Sequence, residues 1–209
     1  GSIVFIVIEG GEGSGKSSLA KALGDQLVAQ DRKVLLTREP GGCLIGERLR
    51  DLILEPPHLE LSRCCELFLF LGSRAQHIQE VIIPALRDGY IVICERFHDS
   101  TIVYQGIAEG LGADFVADLC SKVVGPTPFL PNFVLLLDIP ADIGLQRKHR
   151  QKVFDKFEKK PLSYHNRIRE GFLSLASADP SRYLVLDARE SLASLIDKVM
   201  LHTQLGLCT

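Results

Sequence analysis

"EGGEGSGKSS", residues 9–18, is the stretch that decides the fold of this 209-residue chain. Gly10, Gly15, Lys16 and Ser17 occupy every fixed position of the phosphate-loop pattern G-x-x-x-x-G-K-[ST]. Glycines admit positive φ, so the backbone N–H groups of Gly10, Gly11, Glu12, Gly13, Ser14 and Gly15 turn inward as a nest for phosphate oxygens. The helix that follows, beginning near Ser17 and Ser18, adds its positive end. Lys16 is placed to reach the β- and γ-phosphates of a nucleotide and Ser17 to ligate Mg²⁺. The apolar run "IVFIVI" before the loop and the helical pattern "SSLAKALGDQLVAQ" after it supply the strand–loop–helix setting that the motif needs.

Outward from that loop, apolar and β-branched runs recur at "IVFIVIE", "KVLLTR", "YIVICER", "FVLLLDIP" and "RYLVLDA", separated by segments of helical period. This alternation predicts an α/β fold with a parallel sheet. Because the runs are continuously apolar, helices are expected on both faces and ligands at the strands' carboxyl ends. The polar chemistry sits there, in the phosphate loop, "REPGG", "ERFHDS" and "DIPADIGLQR". "GPTPFLPN" at 125–132 reads as the loop before the fourth strand, so residues 1–209 are expected to form one domain, with Gly1 and Ser2 as the remnant of an expression tag.

Composition narrows the partners. A net charge of −2 and a pI near 6.3 give no global field for nucleic acid or an anionic membrane, and any anion site must be a local cluster of cations. The longest apolar stretches fall short of a membrane span, and no signal peptide is apparent. Six cysteines without a CxxC pair read as reduced core thiols in a cytoplasmic protein.

The loop alone does not name the phosphate acceptor. No N-K-x-D segment is present, which argues against a guanine-nucleotide switch. Arginines instead gather near the strand ends: Arg38, Arg50, Arg74, Arg96, and the run "RKHRQK" from Arg147. Many such arginines in proteins simply lie on solvated helix faces. Phe70 and Arg74, however, lie one helical turn apart in "CELFLFLGSRAQH", a spacing suited to stacking a flat base and hydrogen-bonding its edge. On spacing alone Phe70 reads equally as a core aromatic. A kinase for another nucleotide or nucleoside, and a nucleotide-binding regulatory module, stay open on the residues alone.

Nearly end to end, the chain resembles the bacterial thymidylate kinases, phosphate-loop nucleoside monophosphate kinases. Besides the loop, the resemblance rests on "TREPGG" (37–42), "IGERLRDLIL" (45–54), "LFLFLGSRAQH" (67–77), "ERFHDSTIVYQG" (95–106) and "YHNRIREGF" (164–172). It implies a three-layer phosphate-loop NTPase fold with a five-stranded parallel sheet wrapped by helices, transfer of the γ-phosphoryl group of ATP to dTMP with Mg²⁺, and a homodimer. It further implies that Phe70 stacks on thymine, that Arg74, Ser100 and Gln105 meet the base, and that Pro40 walls the pocket. Arg50 and Arg96 would hold the monophosphate, and Glu12, with Glu39 close by, would approach the deoxyribose 3′-hydroxyl. Lys16, Arg96, Arg147 and Arg150 are the expected catalytic cations, the last two from a lid segment at about 141–160, because Gly13 stands where some members carry a loop arginine. The sequence departs from the family pattern at Glu95, where an aspartate that reaches Mg²⁺ through water is usual, and at Lys156, where arginine is usual. With no long basic stripe interleaved with aromatics and no apolar run of membrane-spanning length, neither a nucleic-acid nor a membrane partner is expected.

Overall fold

In β1 (Phe5–Gly10) every residue is buried, and successive side chains serve opposite layers. Ile6 and Ile8 meet Leu19, Leu23 and Leu27 of α1 (Lys16–Val28), while Phe5 and Val7 turn to the other face. Burying an aliphatic side chain of this size contributes about 1.5–3 kcal/mol. Both faces of the strand are therefore strongly specified, as the unbroken apolar run in the sequence requires.

The computed structural model describes residues 2–54, 60–151 and 155–206. After α1 the chain runs through β2 (Val34–Arg38), α2 (Leu44–Leu54) and α3 (Arg63–His77), which passes through a π-helical turn at Ile78–Ile82 into α4 (Ile83–Arg87). Next come β3 (Ile91–Glu95), α5 (His98–Thr101) with a π-helical continuation at Ile102–Ala108, α6 (Ala113–Ser121) and β4 (Phe133–Asp138). The last elements are α7 (Ala141–His149), α8 (Leu162–Ala178), β5 (Tyr183–Asp187) and α9 (Leu192–Thr203). Each apolar run singled out in the sequence coincides with one of these strands to within a residue or two, and "GPTPFLPN" lies between α6 and β4 as expected. Residues 152–154 of the expected lid, together with Gly1 and Cys208, lie outside the described residues.

The strands form one parallel sheet in the order β2-β3-β1-β4-β5. On one face Leu135, Leu137 and Leu186 join β1 against α1 and against Leu195 and Val199 of α9. On the other face Leu136 packs with Ile168 and Phe172 of α8 and with Val103 and Tyr104, while Val92 and Cys94 pack with Ile78, Ile82 and Leu86. These are the three layers and the five-stranded sheet that the sequence predicted. The expectation about cysteines needs correction: Cys94 and Cys120 are buried, but Cys64 and Cys65 are exposed. They occupy the first turn of α3, just after its Ser62 cap. Among the described residues no helix is long and apolar enough to cross a membrane.

Register decides where the chemistry collects. Ile8 lies opposite Glu95, Glu95 opposite Arg38, and Gly10 opposite Leu137. The carboxyl ends of the central strands thus finish at one level, and the loops that leave them face a common crevice.

Candidate active site

That crevice holds a cavity of about 370 Å³. Its wall includes Glu12, Gly13, Ser14, Gly15, Lys16, Ser17 and Ser18 of the phosphate loop. Gly15 caps α1 with φ 93°, so the free N–H groups of the first helical turn point into the cavity. Lys16 Nζ folds back on its own loop, 3.1 Å from the Gly10 carbonyl, 2.9 Å from the Gly11 carbonyl and 3.4 Å from Ser14 Oγ. Burial and the Arg96 guanidinium pull its pKa down to about 7, against Glu12, Glu9 and Glu95, which raise it. Ser17 Oγ donates to Glu95 Oε1 at 2.5 Å, so the two residues expected to serve the metal already stand together.

Gly13 explains where the lid cations must come from. It has φ 71°, and a Cβ there would sit 1.8 Å from the Gly144 carbonyl oxygen of α7. A Cβ on Gly144 would in turn meet the Glu12 carbonyl at 2.3 Å. The loop has no room for a side chain at 13 because α7 lies directly against it. Counting from Gly144 by three, four and seven places Arg147, Lys148 and Gln151 on the face that meets the loop, and all three line the cavity. Arg150 is off that face and exposed, so the structure does not bring this expected cation to the cavity, and Lys148 stands there instead. Lys148 Nζ lies 3.6 Å from Glu158 Oε1, and Arg147 Nη1 donates to the Ala188 carbonyl at 3.1 Å.

Arg96, immediately after β3, is the hub between the two halves of the cavity. Its φ of 65° is unusual for a residue with a side chain, and the bonds around it over-determine the turn. Nη1 donates to the Gly10 carbonyl at 3.2 Å and to Ser100 Oγ at 3.0 Å, and Nη2 to Glu12 Oε1 and the Tyr104 hydroxyl, each at 3.3 Å. The guanidinium also stands over the Tyr104 ring, 5.1 Å from its centroid. Burial alone would raise the Glu12 carboxyl, but Arg96, Lys16, Lys148 and the Tyr104 hydroxyl outweigh it and hold the acid below its ordinary value. Beneath this hub Glu9 Oε1 accepts from the Phe97 N–H at 3.1 Å and from Ser100 Oγ at 2.9 Å. Burial, with Asp99 nearby, pushes the Glu9 carboxyl up to about 8, while Arg96 and those two hydrogen bonds pull the other way.

Beyond Arg96 the wall becomes aromatic. Phe70, Tyr104 and Phe157 line it with Leu54, Pro40, Ser100 and Gln105. Phe70 is only half-buried, so it is not the plain core aromatic that its spacing allowed. Both amide atoms of Gln105 are buried without a partner, a donor–acceptor pair left available at the cavity wall. Arg50 Nη1 holds the Pro40 carbonyl at 2.9 Å, and the Glu39–Pro40 peptide is cis.

Arg74, expected at the base edge, does not line this cavity. It is 1% exposed, with Nε 2.7 Å from Glu39 Oε1 and Nη2 bonded to the Phe97 carbonyl and to Thr101 Oγ1. The reason is electrostatic: Glu39 is itself buried, and a buried carboxylate needs a bonded counter-charge. Burial would raise the Glu39 carboxyl, but Arg74 and His77 hold it down. His77 bridges the other side, Nδ1 2.7 Å from Glu39 Oε2 and Nε2 2.7 Å from Thr37 Oγ1. Among the described residues Glu39, His77 and Cys94 also lie close enough to share an ion. Both Glu39 oxygens and both His77 nitrogens are already engaged, however, and Arg74 makes the spot cationic.

Sequence reasoning missed Tyr104, Lys148 and Phe157 as cavity residues. Tyr104 directly precedes Gln105, but its hydroxyl bond to Glu12 has no local signal. Lys148 was hidden in "RKHRQK" until Gly144 fixed which face of α7 meets the loop.

Comparison with known proteins adds an independent line. The family model described as thymidylate kinase matches residues 8–199. A thymidylate kinase from Chlamydia caviae is 62% identical over 206 residues, covering 98% of this chain and 100% of the relative. One from Protochlamydia amoebophila is 45% identical, covering 94% of this chain and 90% of the relative. Among solved structures, the thymidylate kinase of Ehrlichia chaffeensis superposes with a TM-score of 0.76 at 29% identity, covering 96% of this chain and 98% of that one.

Proposed function

The chain belongs to the thymidylate kinase family and is an ATP:dTMP phosphotransferase, and on that premise we propose how its residues divide the work. The observation that carries the reading is the single cavity in which Lys16, Arg38, Arg50, Arg96, Arg147 and Lys148 converge between a phosphate loop and an aromatic pocket. A nucleoside monophosphate carries about −1.5 to −2 at pH 7, so it is already a nucleophile and needs no general base. Holding two anions together is the harder task. Two unit charges 4 Å apart repel by about 4 kcal/mol at an effective dielectric of 20, and ATP beside dTMP contains several such pairs.

Lys16 and the loop N–H groups hold the β- and γ-phosphates. Arg96 and Arg50 hold the acceptor phosphate, with Arg96 exchanging its present bonds to Gly10 and Glu12 for phosphate oxygens. Arg147 and Lys148 approach from α7 to balance charge on the transferring group. Phe70 stacks on thymine, Pro40 and Ser100 wall the base, and Gln105 offers its unpaired amide to the base edge. Arg74 serves chiefly by fixing Glu39 and the loop that carries Pro40. Glu12, held ionised by Arg96, faces the sugar. Because phosphoryl transfer passes through a loose transition state, in-line placement and charge stabilisation are nearly all that the protein can contribute.

The hydroxyl of Ser17 and the carboxylate of Glu95 are hard oxygen donors at the cavity wall, the chemistry that suits Mg²⁺. When bound, Mg²⁺ would supply positive charge that offsets the negative charge of the phosphates. Homodimer formation belongs to the same proposal, supported by Phe68 on α3 and by Leu44, Ile45 and Leu52 on α2, all exposed and apolar. So do action as a single catalytic unit and a cytoplasmic setting. The testing experiment is ADP release from ATP and Mg²⁺ against a panel of nucleoside monophosphates and nucleosides. A strong preference for dTMP is expected, and ADP release that ignores the acceptor would overturn the reading.

A further inference from the structure

The segment expected to cover the donor phosphates has a second half that goes elsewhere. Residues up to Gln151 address the phosphate loop, but from Asp155 onward the chain turns to the aromatic wall of the cavity, with Glu158 still 3.6 Å from Lys148. Asp155 Oδ1 accepts from the Phe157 and Glu158 N–H groups at 2.9 and 3.1 Å, fixing a tight turn. Lys156 Nζ pairs with Glu66 Oε1 of α3 at 2.6 Å, and Lys160 Nζ lies 3.7 Å from Glu109 Oε1. These anchors seat the Phe157 ring, 5% exposed, among the other aromatics. Its centroid is 5.7 Å from that of Tyr104 at an interplanar angle of 80°, and 6.4 Å from that of Phe70 at 47°. Three rings from three separate elements thereby bound the space beside Gln105 and Leu54.

We infer that Phe157 is a specificity-determining residue of the acceptor subsite, its ring limiting the size of the base that can lie on Phe70. The inference rests on the reading of Phe70 as the base platform. A phenyl ring held from behind by two ion pairs and a capped turn is a stiff wall, because moving it breaks those bonds as well as the aromatic contacts. A pyrimidine fits beside such a wall. A purine, one fused ring larger, meets it.

The departure at Lys156 fits this arrangement. Its side chain is spent on Glu66, so it serves the seat of Phe157 rather than the phosphates.

Steady-state kinetics of the intact enzyme with Phe157→Ala and Phe157→Leu, using dTMP and dGMP as acceptors, test the inference. Truncation to alanine is expected to raise KM for dTMP about tenfold and to raise the dGMP-to-dTMP ratio of kcat/KM by about tenfold or more, with KM for ATP changed less than about twofold. Leucine keeps most of the apolar volume and is expected to shift the ratio in the same direction by less, which preserves the test if the alanine variant does not fold. An unchanged acceptor ratio in the folded variants overturns the inference, as does a KM for ATP that rises in step with that for dTMP, since either would make the ring a brace only. If the wild-type enzyme phosphorylates neither acceptor, the functional reading itself fails, an outcome separable from these.

Discussion

At the phosphate-loop end of the cavity, Gly13, Lys16, Ser17 and their neighbours come from one ten-residue stretch, whereas the acceptor end gathers Glu39, Arg50, Phe70, Tyr104 and Phe157 from five separate segments. The first end works through backbone N–H groups and needs glycines where helix and loop touch. The second is held by a buried network, Thr37–His77–Glu39–Arg74–Thr101, that never reaches the cavity except through Glu39. Arg96 joins them, with one arm on Gly10 and the other on Glu12 and Tyr104. The contrast teaches that the phosphate cradle is a property of a short peptide placed between strand and helix, while the aromatic end is a property of the whole fold.

The comparison breaks most sharply at Lys16. If the two ends act separately, Lys16→Ala should lower kcat by about a thousandfold while KM for dTMP moves less than about twofold. A comparable rise in KM for dTMP would show that the ends are not separable. Arg74→Met probes the framework of the other end. It strands the Glu39 carboxylate and should cost about 3–5 kcal/mol of folding stability, read as a lower denaturant midpoint at an unchanged slope. Little loss would place the Glu39–Arg74 pair in water rather than in the core.

Gly13→Ala tests the contact between loop and α7 without touching any charge. With its Cβ 1.8 Å from the Gly144 carbonyl, the helix must move, and a shift of about 1 Å in Lys148 and Arg147 is expected to lower kcat about a hundredfold at constant KM for dTMP. Normal turnover in that variant would remove α7 from the donor site. Phe70→Ala, by contrast, should raise KM for dTMP about tenfold and leave kcat nearly intact, because stacking on the base is equally strong in ground and transition states.

The smallest effect concerns Glu9, at the seam of the two ends. Its folded pKa, near 8, lies above the ordinary 4.5, so between these values the folded protein binds the extra proton. This contribution to stability is fully present below pH 4.5 and is lost as pH rises through 8. The groups facing it are Asp99, which pushes the pKa further up, and Arg96, which pulls it down. Glu9→Gln keeps the acceptor oxygen for Phe97 and Ser100 and does not ionise. It should therefore match the wild type in thermal stability near pH 4 and exceed it at pH 8.5. A constant difference across that range would contradict the assignment.

The fold was legible in the sequence because continuous apolar runs between helical segments leave few arrangements other than a covered parallel sheet, and the phosphate loop was legible because its chemistry is contiguous. Arg74 lies off the cavity wall for a physical reason. Helical spacing puts it on the face of Phe70, but spacing does not reveal that Glu39, 35 positions away, is buried and must be neutralised there. Arg150 and Lys148 differ by two positions, and only the glycine crossing at Gly13 and Gly144 tells which one faces the phosphate loop. Phe157 was illegible because the segment that carries it addresses both ends of the cavity, a matter of tertiary path rather than local pattern.

The account stands on direct transfer within one cavity, and the stereochemistry at phosphorus tests this most directly. ATP made chiral at its γ-phosphorus with oxygen isotopes is turned over with dTMP, and the configuration of the transferred group in dTDP is determined. A single in-line displacement between the two held anions predicts inversion. Net retention would mean that the phosphoryl group first rests on the protein, and would contradict the account.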